Sequence, residues 1–95
     1  SDATNSIMSF IRYSKDKNSE LVCVFNFTPV VHQNYKIGLP GPGEYAPVYN
    51  SDHERYGGSN VLATTLNAVK GEWQNQPYHA VVSIPPLAAM FFRKK

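Results

Sequence analysis

Hydrophobic positions in this chain recur mostly with period two. That period sends successive side chains to opposite faces of a strand, whereas a helix would need apolar residues at three- and four-residue steps. Residues 7–13 predict a first strand, with Met8 and Phe10 on one face and Ile7, Ile11 and Tyr13 on the other. Lys15, Asp16, Lys17 and Asn18 supply the polar turn of a short hairpin. Residues 20–27 give the plainest strand, with Leu21, Cys23, Phe25 and Phe27 on one face and Val22, Val24 and Asn26 on the other. Pro29 ends it, because proline cannot donate to a ladder. A third strand over 35–39 alternates Tyr35, Ile37 and Leu39, and Pro40-Gly41-Pro42-Gly43 punctuates the chain as a turn. A fourth strand over 44–50 alternates Tyr45, Pro47 and Tyr49, and its proline points to an edge position or a bulge.

Residues 51–77 read as a long irregular stretch, rich in the turn-compatible Asp52, Gly57, Gly58, Asn60, Gly71 and Pro77. Short strand pieces fit near 61–62 and 68–69. A loop this long in a compact domain is uncommon and often has a job. Period two returns over 78–84 with Tyr78, Ala80, Val82 and Ile84, Pro85-Pro86 breaks it, and residues 87–92 predict the last strand.

Six or seven short strands with no helix predict an all-β fold, an antiparallel β-sandwich with Greek-key-like connections. A length of 95 residues suits one domain, placed at residues 6–95, with residues 1–5 read as disordered or a cloning remnant. The second strand is apolar on both faces, and so is the last, where Leu87, Ala89 and Phe91 oppose Ala88, Met90 and Phe92. A free two-layer sandwich leaves one face of each strand polar. Either loops cover these strands, or a second domain packs on them and the isolated chain exposes an apolar patch.

Composition narrows the function classes. Six Tyr, five Phe and one Trp against 17% charged residues argue for a folded chain rather than a disordered one. A net charge of +2, with Arg93, Lys94 and Lys95 as a solvated tail, is too weak for a nucleic-acid partner. Cys23 is the only cysteine, so no internal disulfide forms and a reducing compartment is expected. With no signal peptide and no apolar run near the roughly 20 residues of a membrane helix, the expectation is a cytoplasmic protein with no membrane partner.

Candidate chemistry is sparse. Asp52 and Glu54 form the closest carboxylate pair, and glycoside hydrolysis needs two carboxyls about 5–10 Å apart. One of them must sit in a dry pocket with a raised pKa, and the run Asp52-His53-Glu54-Arg55 reads as a solvated loop. His32, His53 and His79 lack metal-ligand spacing, and Cys23 in mid-strand reads as a small core hydrophobe. Ser59 after Gly57-Gly58 is not a nucleophile elbow, and Gly41 and Gly43 lack the helix of a phosphate cradle. No catalytic residue, metal or cofactor is implied. Sugar rings stack on exposed aromatic rings, which makes Trp73, flanked by Glu72, Gln74 and Asn75, a candidate glucan platform. Tyr56, Tyr49 and Asp52 are further candidates in or beside the same stretch; the alternative for Trp73 is a lid on the core.

Four segments occur together in a recognisable order: Val24-Phe25-Asn26-Phe27-Thr28-Pro29; Tyr35-Lys36-Ile37-Gly38-Leu39-Pro40 with Gly43-Glu44-Tyr45; Asn50-Ser51-Asp52 with Tyr56-Gly57-Gly58-Ser59; and Pro85-Pro86-Leu87-Ala88. Together they closely resemble the C-terminal all-β domain of bacterial 1,4-α-glucan (glycogen) branching enzymes, members of the α-amylase superfamily. The resemblance runs from about Ser6 to Phe92, and residues 61–77 carry no part of the pattern.

The resemblance implies a parent enzyme with an N-terminal carbohydrate module, a (β/α)8 barrel and this C-terminal domain. The barrel of such enzymes cleaves an α-1,4 bond through a covalent glycosyl intermediate and transfers the chain to a 6-hydroxyl. Its nucleophile, acid/base and third carboxylate have no position in this sequence. The resemblance therefore implies a supporting domain, partnered by the barrel of its own chain and by α-glucan at its periphery, with the loop from Asn50 to Asn60 facing one of them. A free-standing carbohydrate-binding module, a small hydrolase using Asp52 and Glu54, and the end domain of a related trehalohydrolase or debranching enzyme are the alternatives.

Overall fold

A computed structural model describes residues 6–15, 19–51 and 64–95. Eight strands are found among them: β1 (Ile7–Tyr13), β2 (Glu20–Asn26), β3 (His32–Leu39), β4 (Glu44–Asn50), β5 (Leu66–Asn67), β6 (Val69–Trp73), β7 (Gln76–Ile84) and β8 (Ala88–Lys94). They form a five-stranded sheet in the order β1-β2-β8-β4-β5 and a three-stranded sheet in the order β3-β7-β6. All pairings are antiparallel, and the chain passes between the sheets at β2–β3, β3–β4, β5–β6 and β7–β8. The expected antiparallel sandwich is the fold observed.

The core lies between the sheets. From the five-stranded sheet come Ile7, Val22, Val24, Tyr45, Leu66, Met90 and Phe92; from the other come Ile37, Leu39, Ala80, Val82 and Ile84. Strict alternation within β2 and β8 puts Val22, Val24 and Asn26, and Ala88, Met90 and Phe92, inside. Each fully buried aliphatic side chain contributes about 1.5–3 kcal/mol relative to exposure, so these rows are the main drive to fold. Tyr45 anchors the Pro40–Gly43 turn from beneath. Its buried hydroxyl donates to the Gly41 carbonyl at 3.0 Å and accepts from the Gly41 N–H at 3.1 Å.

The expected boundaries of the first and fourth strands match. At Pro47 the register of β4 against β8 shifts before Tyr49, and β5 pairs only with Glu44 and Tyr45, so the proline sits at a bulge on an unpaired edge. The expectation of an irregular stretch to residue 77 is corrected: residues 66–77 form β5, β6, a turn and the start of β7. Gln74 and Asn75 both have positive φ, which a two-residue hairpin turn requires, and neither is a glycine that would flag it. Pro77 lies inside β7 rather than in a turn. Residues 1–5, the Asp16–Asn18 part of the first hairpin turn and the strand piece expected at 61–62 lie outside the described residues.

Candidate functional site

Because β2 and β8 bury one apolar row in the core, their second apolar rows turn outward. On the outer face of the five-stranded sheet, Phe10 pairs with Cys23 and Cys23 with Phe91, one rung along from Met8, Phe25 and Ala89. Phe25 is the hub. Its ring lies 5.8 Å from Phe10 and 6.1 Å from Phe27, both stacked, and 5.9 Å from Phe91, edge-on. Tyr49 continues the series, 5.2 Å from Phe91. The β4 bulge makes this register, since it sets Tyr49 opposite Phe91 rather than inside.

Rings at these separations attract one another, but they also shed water only in part. Met8, Phe10, Phe27 and Tyr49 remain between 43% and 60% exposed. Among the described residues nothing is laid over this face. At its Asn26 end a hollow of about 300 Å³ opens, lined by Phe25, Phe27, Ser51, Leu87, Ala88 and Ala89 among others. Leu87 stands at its rim with 69% of its surface exposed. A hollow walled by apolar side chains accepts an apolar side chain from a partner, the geometry of an interface anchor.

Asn26 fixes that end of the face. Its Nδ2 donates to the carbonyls of Val30 at 2.9 Å and Pro85 at 2.8 Å, and its Oδ1 accepts from the Thr28 N–H and hydroxyl at 2.9 and 2.7 Å. Leu87 N–H donates to the Thr28 carbonyl at 2.9 Å, completing the tie. Two of the recognisable sequence segments, 24–29 and 85–88, therefore meet at one buried amide. Alternation along β2 sets Asn26 on the inner face, and the local sign of its role is a lone amide in line with the buried Val22 and Val24.

Cys23 is buried, as expected, but under the aromatic face rather than between the sheets, flanked by Phe10 and Phe91. Burial pushes its thiol above the ordinary value, and the nearby Arg12 guanidinium pulls weakly the other way.

Trp73 closes β6 on the other sheet. Its indole N–H donates to the Lys36 carbonyl at 3.0 Å, the Lys36 ammonium lies 4.6 Å from the ring centre, and the ring keeps 43% of its surface exposed. Gln74 Oε1 accepts from Gly38 N–H at 2.9 Å and from the Ser9 hydroxyl at 3.0 Å. The hairpin tip thus supplies side-chain partners to two backbone groups of β3, an edge strand, and ties it to β1 in the opposite sheet. A side chain at Gly38 would collide with the Trp73 carbonyl. Gln74 entered the sequence reading only as a neighbour of Trp73, because its two partners lie far away in the chain.

The other proposed sugar contacts, Asp52 and Tyr56, lie outside the described residues, as do Glu54, Ser59 and most of the loop to Asn60. Among the described residues no group of three His, Cys, Asp or Glu is placed to hold a metal, and no helix is long and apolar enough to cross a membrane. His79 Nδ1 sits 3.0 Å from the Gly71 carbonyl and His32 Nε2 3.1 Å from the Thr28 hydroxyl, far from any shared site.

Comparison with known proteins gives this geometry a context. The family model described as "Alpha amylase, C-terminal all-beta domain" matches residues 1–95. The chain is 46% identical over 91 residues to the 1,4-alpha-glucan branching enzyme of Hydrogenovibrio crunogenus, covering 95% of the chain and 12% of that protein. It is 43% identical over 93 residues to that of Halothermothrix orenii, covering 97% of the chain and 15% of the protein. For the Rubrobacter xylanophilus enzyme the figures are 40% over 94 residues, with 99% and 13% covered. The chain spans about an eighth of the length of such relatives. Matched from end to end, it belongs to the family of α-amylase C-terminal all-β domains.

Proposed function

We propose that this chain is the C-terminal domain of a 1,4-α-glucan branching enzyme, and that it supports the catalytic barrel of its own chain by covering apolar barrel surface. The observation that carries this reading is the continuous aromatic row Phe10, Phe25, Phe27, Phe91 and Tyr49, exposed at Phe10, Phe27 and Tyr49 and half-buried at Phe25 and Phe91. A monomer rarely leaves so contiguous an apolar face in water unless it docks. Relatives at similar identity are some eightfold longer, which leaves ample chain to occupy it. Chain transfer from an α-1,4 linkage to a 6-hydroxyl then belongs to the rest of the protein, and this domain acts by holding that part folded. A lone cysteine kept as a thiol fits the cytoplasm.

The test is to place this chain in the matched position of a branching enzyme and measure branching of amylose by loss of iodine colour. Phe25→Asp together with Phe91→Asp is expected to lower activity and unfolding temperature of the whole enzyme while the isolated domain stays folded. Full activity in that double variant would refute the docking role.

A peripheral α-glucan contact at Trp73, with Tyr56 and Asp52, is a second proposal, supported by the half-exposed indole held in place by Lys36. Titration of the chain with maltoheptaose, with Trp73→Ala as control, tests it. Absence of heat to millimolar ligand, about −4 kcal/mol, removes it.

A further inference from the structure

We infer that the docking face is two-ended, and that the catalytic part of the same chain meets its far end with carboxylates held against Arg12 and Arg93. The inference rests on the docking role proposed above and names the chemistry of the partner surface.

The sheet register places the two arginines. Arg12 pairs with Leu21, Leu21 pairs with Arg93, and Arg93 pairs with Ala46, so all four stand on one rung of the same outer face. Arg12 and Arg93 flank Leu21 two strand spacings apart, about 10 Å. Both are exposed, and among the described residues neither has an ion pair; the ion pair present there joins Lys95 to Glu44 at 3.1 Å.

Among the described residues the opposite end carries no charge. Phe27, Leu87 and Ala89 surround the hollow, with Phe25, Phe91 and Tyr49 between. A partner with a uniformly apolar surface would strip water from two guanidinium groups without replacing it, a cost that opposite charges remove. Arginine presents a planar fork that grips a carboxylate with two hydrogen bonds, and it is the basic residue most compatible with an interface. One charged rung at one end of an apolar face also fixes direction: a domain turned end for end would set Arg12 and Arg93 against the apolar anchor of the partner.

The experiment uses the full-length enzyme carrying this domain. With Arg12→Lys and Arg93→Lys, a zero-length carbodiimide joins an amine to a touching carboxylate, and mass spectrometry reads the linked peptides. Links from positions 12 and 93 to acidic residues outside the 95 matched residues are expected. In parallel, Arg12→Glu with Arg93→Glu is expected to speed proteolytic release of the domain about tenfold and to abolish the dependence of release on salt. No link outside the domain, with release unchanged in the charge-reversed protein, overturns the inference. If Phe25→Asp still speeds release in that case, the docking face stands and only its charged end falls; if Phe25→Asp is also silent, both fall. Stabilisation of the isolated chain by inorganic phosphate through both arginines, without carbodiimide links, would likewise overturn it in favour of a small-anion site.

Discussion

Asn26 and Pro85 lie 59 positions apart in the chain, yet the Asn26 amide donates to the Pro85 carbonyl at 2.8 Å in a fully buried contact. The same amide holds the Val30 carbonyl and the Thr28 N–H, so it fastens the β2–β3 and β7–β8 crossovers at the mouth of the apolar hollow. Asn26→Ala strands the buried Pro85 carbonyl and removes the bonds to Val30 and Thr28 as well. An unsatisfied buried group costs about 1–3 kcal/mol, so a loss of about 2–4 kcal/mol in urea unfolding is expected. Asn26→Asp is expected to be nearly as harmful, because a carboxylate cannot donate to either carbonyl.

The hairpin tip gives a second measurable tie. Gly38→Ala sets a methyl group against the Trp73 carbonyl, a backbone atom that cannot move without unfolding the turn. Overpacking of this kind costs about 1–3 kcal/mol. Gln74→Met keeps the length of the side chain but removes the bonds to Gly38 and Ser9, for a loss of about 1–2 kcal/mol. The two substitutions act on one contact, so the double variant should lose less than the sum.

Tyr45 makes stability depend on alkaline pH. Burial raises its phenol above the ordinary value, with the Gly41 hydrogen bond pulling it partly back. For a group whose pKa is raised by folding, the contribution is complete below the unfolded value, about 10, and is lost as pH rises through the folded value. Once ionised, the phenolate can no longer donate to the Gly41 carbonyl. Stability measured by denaturant should therefore fall above about pH 10, and Tyr45→Phe should flatten that fall while costing about 1–2 kcal/mol at neutral pH.

Cys23 reports on the aromatic cover. Buried beneath Phe10 and Phe91 with a raised thiol pKa, it should react slowly with a disulfide reagent at pH 8 in the folded chain. Phe91→Ala is expected to speed the reaction at least tenfold without unfolding the chain, because it opens the thiol to reagent. Equal rates in the two proteins would show that the cover is not the barrier.

The strands were legible in the sequence because period two survives wherever one face is buried. The doubled apolar rows of β2 and β8 left two outcomes open, cover by loops or an exposed apolar patch, and period alone could not say which row turned inward; the described residues show the patch. Residues 66–77 were legible only as a short strand piece near 68–69, where β6 begins. Their side chains alternate poorly because β6 is exposed on an edge, and their turn is built from Gln74 and Asn75 rather than from a glycine. The role of Gln74 was hidden for another reason: its partners Gly38 and Ser9 lie 36 and 65 positions away, and no local pattern marks them, as none marks the bond from Asn26 to Pro85, 59 positions on.

Hydroxyl-radical footprinting, read by mass spectrometry at Met8, Phe10, Phe27 and Tyr49, tests the central claim most directly, in the isolated chain and in the full-length enzyme. These side chains are exposed in the isolated domain and should label readily there. Protection of all four in the full-length enzyme, with Val81 on the other sheet labelled equally in both, is the expected result. Equal labelling of the four in both proteins would mean that the aromatic face stays in water, and would contradict the docking role.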